Sequence, residues 1–169
     1  MRLNFFNPQR MEQTLSKMAL IEKITSDVLV CAKCPLWKGR RNAVSGEGDI
    51  DASVLFVGEA PGYWEDMKGL PFVGAAGKVL DTLLEKIKLP RENVFITNVV
   101  KCRPPENRDP QPEEVKTCTN LYLNRQIALI QPTIIVTLGR HSTAYILSKA
   151  GLETKASEGI TQLHGKVIQ

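Results

Sequence analysis

The sequence predicts an α/β domain built on a parallel sheet, and three observations carry that expectation. Ser53 to Val57, Val94 to Val100 and Thr133 to Leu138 are short, uniformly apolar runs of the length of buried strands. The stretches between them repeat apolar residues at helical spacing, so strand and helix alternate. The chain has 169 residues, 43% hydrophobic and 24% charged, which suits one globular core and excludes a disordered or collagen-like chain. No apolar run approaches the roughly 20 residues of a membrane helix, and the N-terminus MRLNFFNPQR lacks the pattern of a secretory signal. A cytoplasmic protein with no membrane partner is therefore expected.

The elements follow in order along one domain, 1–169. Met11, Leu15, Met18, Ile21, Ile24 and Val28 recur every three or four residues with charged residues between them, predicting an amphipathic helix within 8–30. In 31–52, Pro35, several glycines and the basic run Lys38 to Arg41 predict an irregular loop. The first strand opens the α/β core, 53–169, and runs into Gly58-Glu59-Ala60-Pro61-Gly62, a turn toward a loop or helix start. Val79, Leu80, Leu83, Leu84 and Ile87 form the face of a helix that Pro90 closes. The second strand is followed by the Pro-rich PPENRDPQPEE, then by a helix from Pro112, Glu113 and Glu114 to about Ile130, with proline and acidic residues where a helix N-terminus favours them. After the third strand a short helix spans His141 to Lys149, and no internal repeat is present. Ligands of such sheets bind beyond the carboxyl ends of the strands, here Gly58 to Gly62 and Asn98 to Arg103.

Four cysteines in a reducing compartment are more readily metal ligands or reactive thiols than disulfides. Cys31 and Cys34 form a C-x2-C pair, while Cys102 and Cys118 lie far along the chain, so a shared site pins the N-terminal segment to the middle of the domain. That spacing is compatible with a [4Fe-4S] cluster or an all-thiolate zinc site, and small buried cysteines that bind nothing are the alternative. Lys33, Lys38, Arg40, Arg41, Lys101 and Arg103 flank these positions; they can offset thiolate charge, contact phosphates, or do neither. The net charge of +4 permits a polyanionic partner without requiring one.

Four linked motifs, CAKCPLWKGRRNAVSGEGD from Cys31, GEAPGYWED from Gly58, LPFVGAAG from Leu70 and NVVKCRPPENRDP from Asn98, resemble the family 4 uracil-DNA glycosylases, the iron-sulfur branch of that superfamily. The resemblance runs from about Cys31 to Gly139. It implies a three-layer α/β/α fold with a central parallel sheet. It also implies a prokaryotic-type, monomeric repair enzyme that excises uracil from DNA, and a structural [4Fe-4S] cluster held by Cys31, Cys34, Cys102 and Cys118. Asn98 matches the family's uracil-reading asparagine: one amide accepts from uracil N3–H and donates to O4, a pattern cytosine inverts. Phe72 matches the phenylalanine that stacks on the flipped base, and backbone near Ala60 touches uracil. Glu59 and Glu65 match acidic positions implicated in activating or positioning water, with Glu65 the favoured one. Tyr63 and Trp64 are placed to exclude the thymine methyl or to pack on the neighbouring loop. Outside these motifs, Asn98 would read as a loop cap, Phe72 as core and the carboxylates as loop acceptors.

The family pattern continues into a further strand and a His-Pro motif, whereas no His-Pro pair occurs here, and neither His141 nor His164 matches that histidine. The expectation is a sheet without its fourth strand and a slow enzyme, the alternative being an iron-sulfur module that binds uracil or DNA with little turnover. A zinc-stabilised nucleotide binder is disfavoured because neither GxGxxG nor GxxxxGK[ST] is present.

Overall fold

The structure is a computed structural model that describes residues 8–153 and 159–169, with side chains from residue 15 onward. Helix α1, Pro8–Leu29, buries Ile21, Ile24 and Val28, but Leu15 and Met18 are 62% and 43% exposed. The predicted apolar stripe is thus used only in its last turns, where the helix meets the sheet; the side chain of Met11 lies outside the described residues.

The three apolar runs are the parallel strands β2 (Val54–Gly58), β3 (Phe95–Asn98) and β4 (Ile134–Thr137). A short strand precedes them: Glu47–Gly48 forms β1, antiparallel to β3, inside the segment expected to be irregular, and the sheet order is β1-β3-β2-β4. The further strand expected after the third run is not this one, and among the described residues no strand follows Ile134–Thr137. The sheet is therefore mixed. Two residues carry no periodicity, so pairing with β3, not local pattern, makes them a strand. Along β2 every side chain is at least half-buried, since both faces are covered. Leu55, Val57 and Phe95 pack against α1 and the helical run before β4, while Phe56 and Ile96 pack against Leu80 and Leu84. Helices on both faces give the three layers. Each fully buried aliphatic side chain contributes about 1.5–3 kcal/mol.

Between β2 and β3 lie α2 (Tyr63–Lys68) and α3 (Ala75–Lys86). Between β3 and β4 the predicted long helix is interrupted. Helix α4 (Pro112–Cys118) passes through a π-helical turn, Thr119–Leu123, into α5 (Asn124–Ile130). At the start of α4, Glu114 is buried and accepts from the Gln111 N–H at 2.8 Å, while Arg108 grips both carboxylate oxygens at 2.7 and 2.9 Å and holds the acid below its usual range. This pair ties the Pro-rich loop to the helix that carries Cys118. Helices α6 (Arg140–Lys149) and α7 (Ile160–Leu163) complete the described chain. None of the described helices is long and apolar enough to cross a membrane.

Candidate active site and thiol centre

Gly58 and Asn98 are register partners at the carboxyl ends of β2 and β3, and the pairing continues through Val99 N–H to Gly58 O and Val100 N–H to Glu59 O. A Cβ on Gly58 would stand 2.4 Å from Asn98 Oδ1 and 2.6 Å from the Phe72 ring. Only glycine leaves room for these two side chains to converge. Asn98 Oδ1 is buried and has no hydrogen-bond partner among the described residues. A buried carbonyl oxygen left unpaired costs about 1–3 kcal/mol, and such a group is characteristic of a site that a ligand completes.

Phe72 occupies the left-handed region at φ 51°. A bulky residue holds that conformation only where its surroundings over-determine it. Here Arg91 donates to Pro71 O at 2.7 Å while gripping Glu47 and Asp81, and Glu65 Oε1 accepts from the N–H groups of Val73 and Gly74 at 2.9 and 2.8 Å. On the far side Phe72 O occupies the place where a Gly77 Cβ would be, so the α3 backbone closes directly on the loop.

Glu65, expected to handle water, is anchored through both carboxylate oxygens. Its Oε2 accepts from Gly62 N–H at 3.1 Å, so both oxygens join the Gly58–Gly62 turn to the Phe72 loop. The carboxylate is occupied by backbone donors, and the geometry makes it a holder of the site. Glu65→Gln is expected to lower Tm and base-dependent affinity together, because an amide nitrogen must then face a backbone N–H and hydrogen bonds to a charged group are worth about 1.5–3 kcal/mol each. A variant with an unchanged melting curve and slower excision would instead favour the water-positioning role.

Ala60 packs its methyl against the core, leaving its backbone in the turn. Tyr63 and Trp64 are 48% and 55% exposed, with ring centroids 5.2 Å apart edge to face, and Arg103 lies 5.2 Å from the Tyr63 centroid. They form the rim, with Trp64 over Gly74. Glu59 lies in a second polar group: His141 Nε2 stands 3.9 Å from Glu59 Oε2 and 3.4 Å from Asp109 Oδ1, and Arg140 pairs with Asp109. Neither Asp109 nor His141 stood out in the sequence, because three distant segments have to fold before they meet.

The four cysteines are free thiols packed into one cluster with the larger core, Cys102 and Cys118 buried, Cys31 and Cys34 half-buried. They are close enough that the charge of one raises the pKa of the next. Burial pushes Cys34 and Cys102 up and Cys118 to about 12. Against this, Arg40 donates to Cys102 Sγ at 3.0 Å and Lys101 N–H to Cys118 Sγ at 3.3 Å. Four thiols from three segments, with cationic and N–H donors aimed at sulfur, fit a thiolate-bound metal centre, whose positive charge is what lets buried thiols ionise.

Lys101 itself is only 1% exposed, so it cannot reach a phosphate as the sequence allowed. Its Nζ donates to Thr97 Oγ1, Asn98 O and Gln126 Oε1 at 2.5, 2.9 and 2.7 Å, and loss of water lowers its pKa to about 8. The ammonium thereby fixes the backbone carbonyl of Asn98.

Residues 45–168 match the model of the uracil DNA glycosylase superfamily. The chain is 56% identical over 150 residues to a type-4 uracil-DNA glycosylase of Sulfurisphaera tokodaii, covering 88% of this chain and 66% of that protein. It is 52% identical over 147 residues to that of Saccharolobus solfataricus, covering 86% and 66%, and 49% identical over 152 residues to that of Archaeoglobus fulgidus, covering 90% and 74%. The matched region thus spans about two thirds to three quarters of the length of these relatives.

Proposed function

The chain belongs to the type-4 uracil-DNA glycosylases of the uracil DNA glycosylase superfamily, and from that membership we propose that it hydrolyses the N-glycosidic bond of uracil in DNA, the first step of base-excision repair. The observation that carries the reading is the unpartnered Asn98 Oδ1 beside the Phe72 ring, an acceptor and an aromatic face meeting in space that Gly58 leaves open. Uracil flipped out of the helix stacks on Phe72, donates N3–H to Asn98 Oδ1 and accepts from Asn98 Nδ2 at O4. The C1′–N1 bond breaks, the base leaves as an anion, and a water whose proton passes to Glu59 adds to C1′. Backbone of the Gly58–Gly62 turn and Asn98 supply the polar environment for the departing charge.

Cys31, Cys34, Cys102 and Cys118 hold a [4Fe-4S] cluster in this reading, and its contribution is structural: it joins the end of α1, the β3 exit and α4. A single chain acts on uracil-containing DNA in the cytoplasm.

The test is single-turnover excision with Asn98→Asp. The ionised carboxylate accepts from cytosine N4–H2 but cannot donate to uracil O4, so uracil excision should fall about 10- to 100-fold and discrimination against cytosine should narrow, each base-edge pair being worth about 1–3 kcal/mol. Unchanged uracil excision would remove Asn98 from the reading.

A further inference from the structure

We propose that His141 is a positioning residue for Glu59, an inference that rests on the reading of Glu59 as the acceptor of the water proton. Glu59 follows Gly58 in the turn that closes the base site, so its main chain is fixed by the pairing of Glu59 O with Val100 N–H at 3.1 Å. Its carboxylate has no such anchor in the turn. His141, at the start of α6, brings Nε2 to 3.9 Å from Glu59 Oε2 and 3.4 Å from Asp109 Oδ1, and the two carboxylates and this nitrogen all lie within 4.8 Å of one another. Nε2 is buried with no hydrogen-bond partner among the described residues, although the ring as a whole is partly exposed. A buried ring nitrogen facing two acceptors has a donor to give, and a shift of under one ångström brings it onto either. The charged groups around it are Glu59 from the β2 exit, Asp109 from the Pro-rich loop and Arg140 beside it on α6. Arg140 pairs with Asp109 and holds its carboxyl below the usual range, so Asp109 stays a fixed negative partner. The His141 Nε2–H, shared between the two carboxylates, holds Glu59 oriented without touching the substrate.

The experiment is single-turnover and steady-state excision by the full chain and by His141→Gln, His141→Lys, Glu59→Gln and the His141→Gln/Glu59→Gln pair, with His164→Gln as the control histidine. His141→Gln is expected to lower kcat about 10- to 100-fold with KM within about twofold, the scale of a small misplacement of a catalytic group. His141→Lys restores part of the loss by again offering an N–H donor to Glu59. The double variant should be no slower than Glu59→Gln alone, a non-additivity that a merely structural histidine would not produce. Undiminished kcat in His141→Gln, additive losses, or a loss confined to KM would each overturn the proposal. So would a rate that EDTA abolishes and a divalent cation restores, since the group would then be a metal site. Absence of excision by the unmodified chain would instead sink the underlying reading of the function, and this inference with it.

Discussion

Gly58→Ala is expected to abolish uracil excision, by at least about 1000-fold, while the protein still folds and still binds undamaged DNA. The added methyl meets Asn98 Oδ1 at 2.4 Å and the Phe72 ring at 2.6 Å, far inside van der Waals contact. Neither neighbour can yield cheaply. Asn98 is buried with its backbone carbonyl held by Lys101, and Phe72 sits in a strained conformation fixed by the bonds around Pro71, Val73 and Gly74. Overpacking of this kind costs about 1–3 kcal/mol in stability, which a domain with about 5–15 kcal/mol in hand survives. The loss falls on the chemistry because the methyl occupies the space the base must enter. Single-turnover rates together with a melting curve decide the matter, and a rate within tenfold of the unmodified chain would show that the base binds elsewhere.

Cys118→Ala should unfold much of the domain or leave it unable to hold the proposed metal. Structural metal centres of thiolate type supply on the order of 10 kcal/mol to folding, comparable with the whole stability of a domain this size. Cys118 closes α4 and receives the Lys101 N–H, so its loss removes a proposed ligand and leaves a buried donor unpaired. Cys31→Ala, on the half-buried side of the cluster, should be the milder change. Visible absorption and iron analysis of anaerobically purified protein read both variants against the unmodified chain. Stoichiometric zinc with no iron or labile sulfide would replace the cluster by a zinc site.

The parts of this molecule that were legible in the sequence are those written locally. The strands at Val54, Phe95 and Ile134 are continuous apolar runs, while of the face predicted for α3 only Leu80 and Leu84 are buried, Val79, Leu83 and Ile87 being 61%, 52% and 66% exposed. The motifs around Gly58, Phe72 and Asn98 named their residues by resemblance, and folding brings those three into contact. What the sequence hid depends on position in space. Lys101 reads as one more surface base in a basic neighbourhood, and only burial among Thr97, Asn98 and Gln126 distinguishes it. The three backbone N–H groups from which Glu65 accepts are invisible until the two loops are folded onto it. The π turn after Cys118 leaves no apolar signature, since Tyr122 and Leu123 would suit an α-helix equally.

Three residues separate Asn98, the proposed base reader, from the thiol centre at Cys102. From Asn98 to Cys102 the chain spans at most about 14 Å when fully extended. Within that tether the Lys101 side chain grips the Asn98 carbonyl and the Lys101 amide grips Cys118, so the segment is braced at both ends. An oxidant that strips the proposed cluster would therefore blind base recognition as well as loosen the fold, although the role proposed for the cluster is structural. On the proposed function, excision would then fail under the same oxidative stress that damages DNA, and a cell relying on this protein would need either to rebuild the cluster quickly or to keep a metal-free enzyme in reserve.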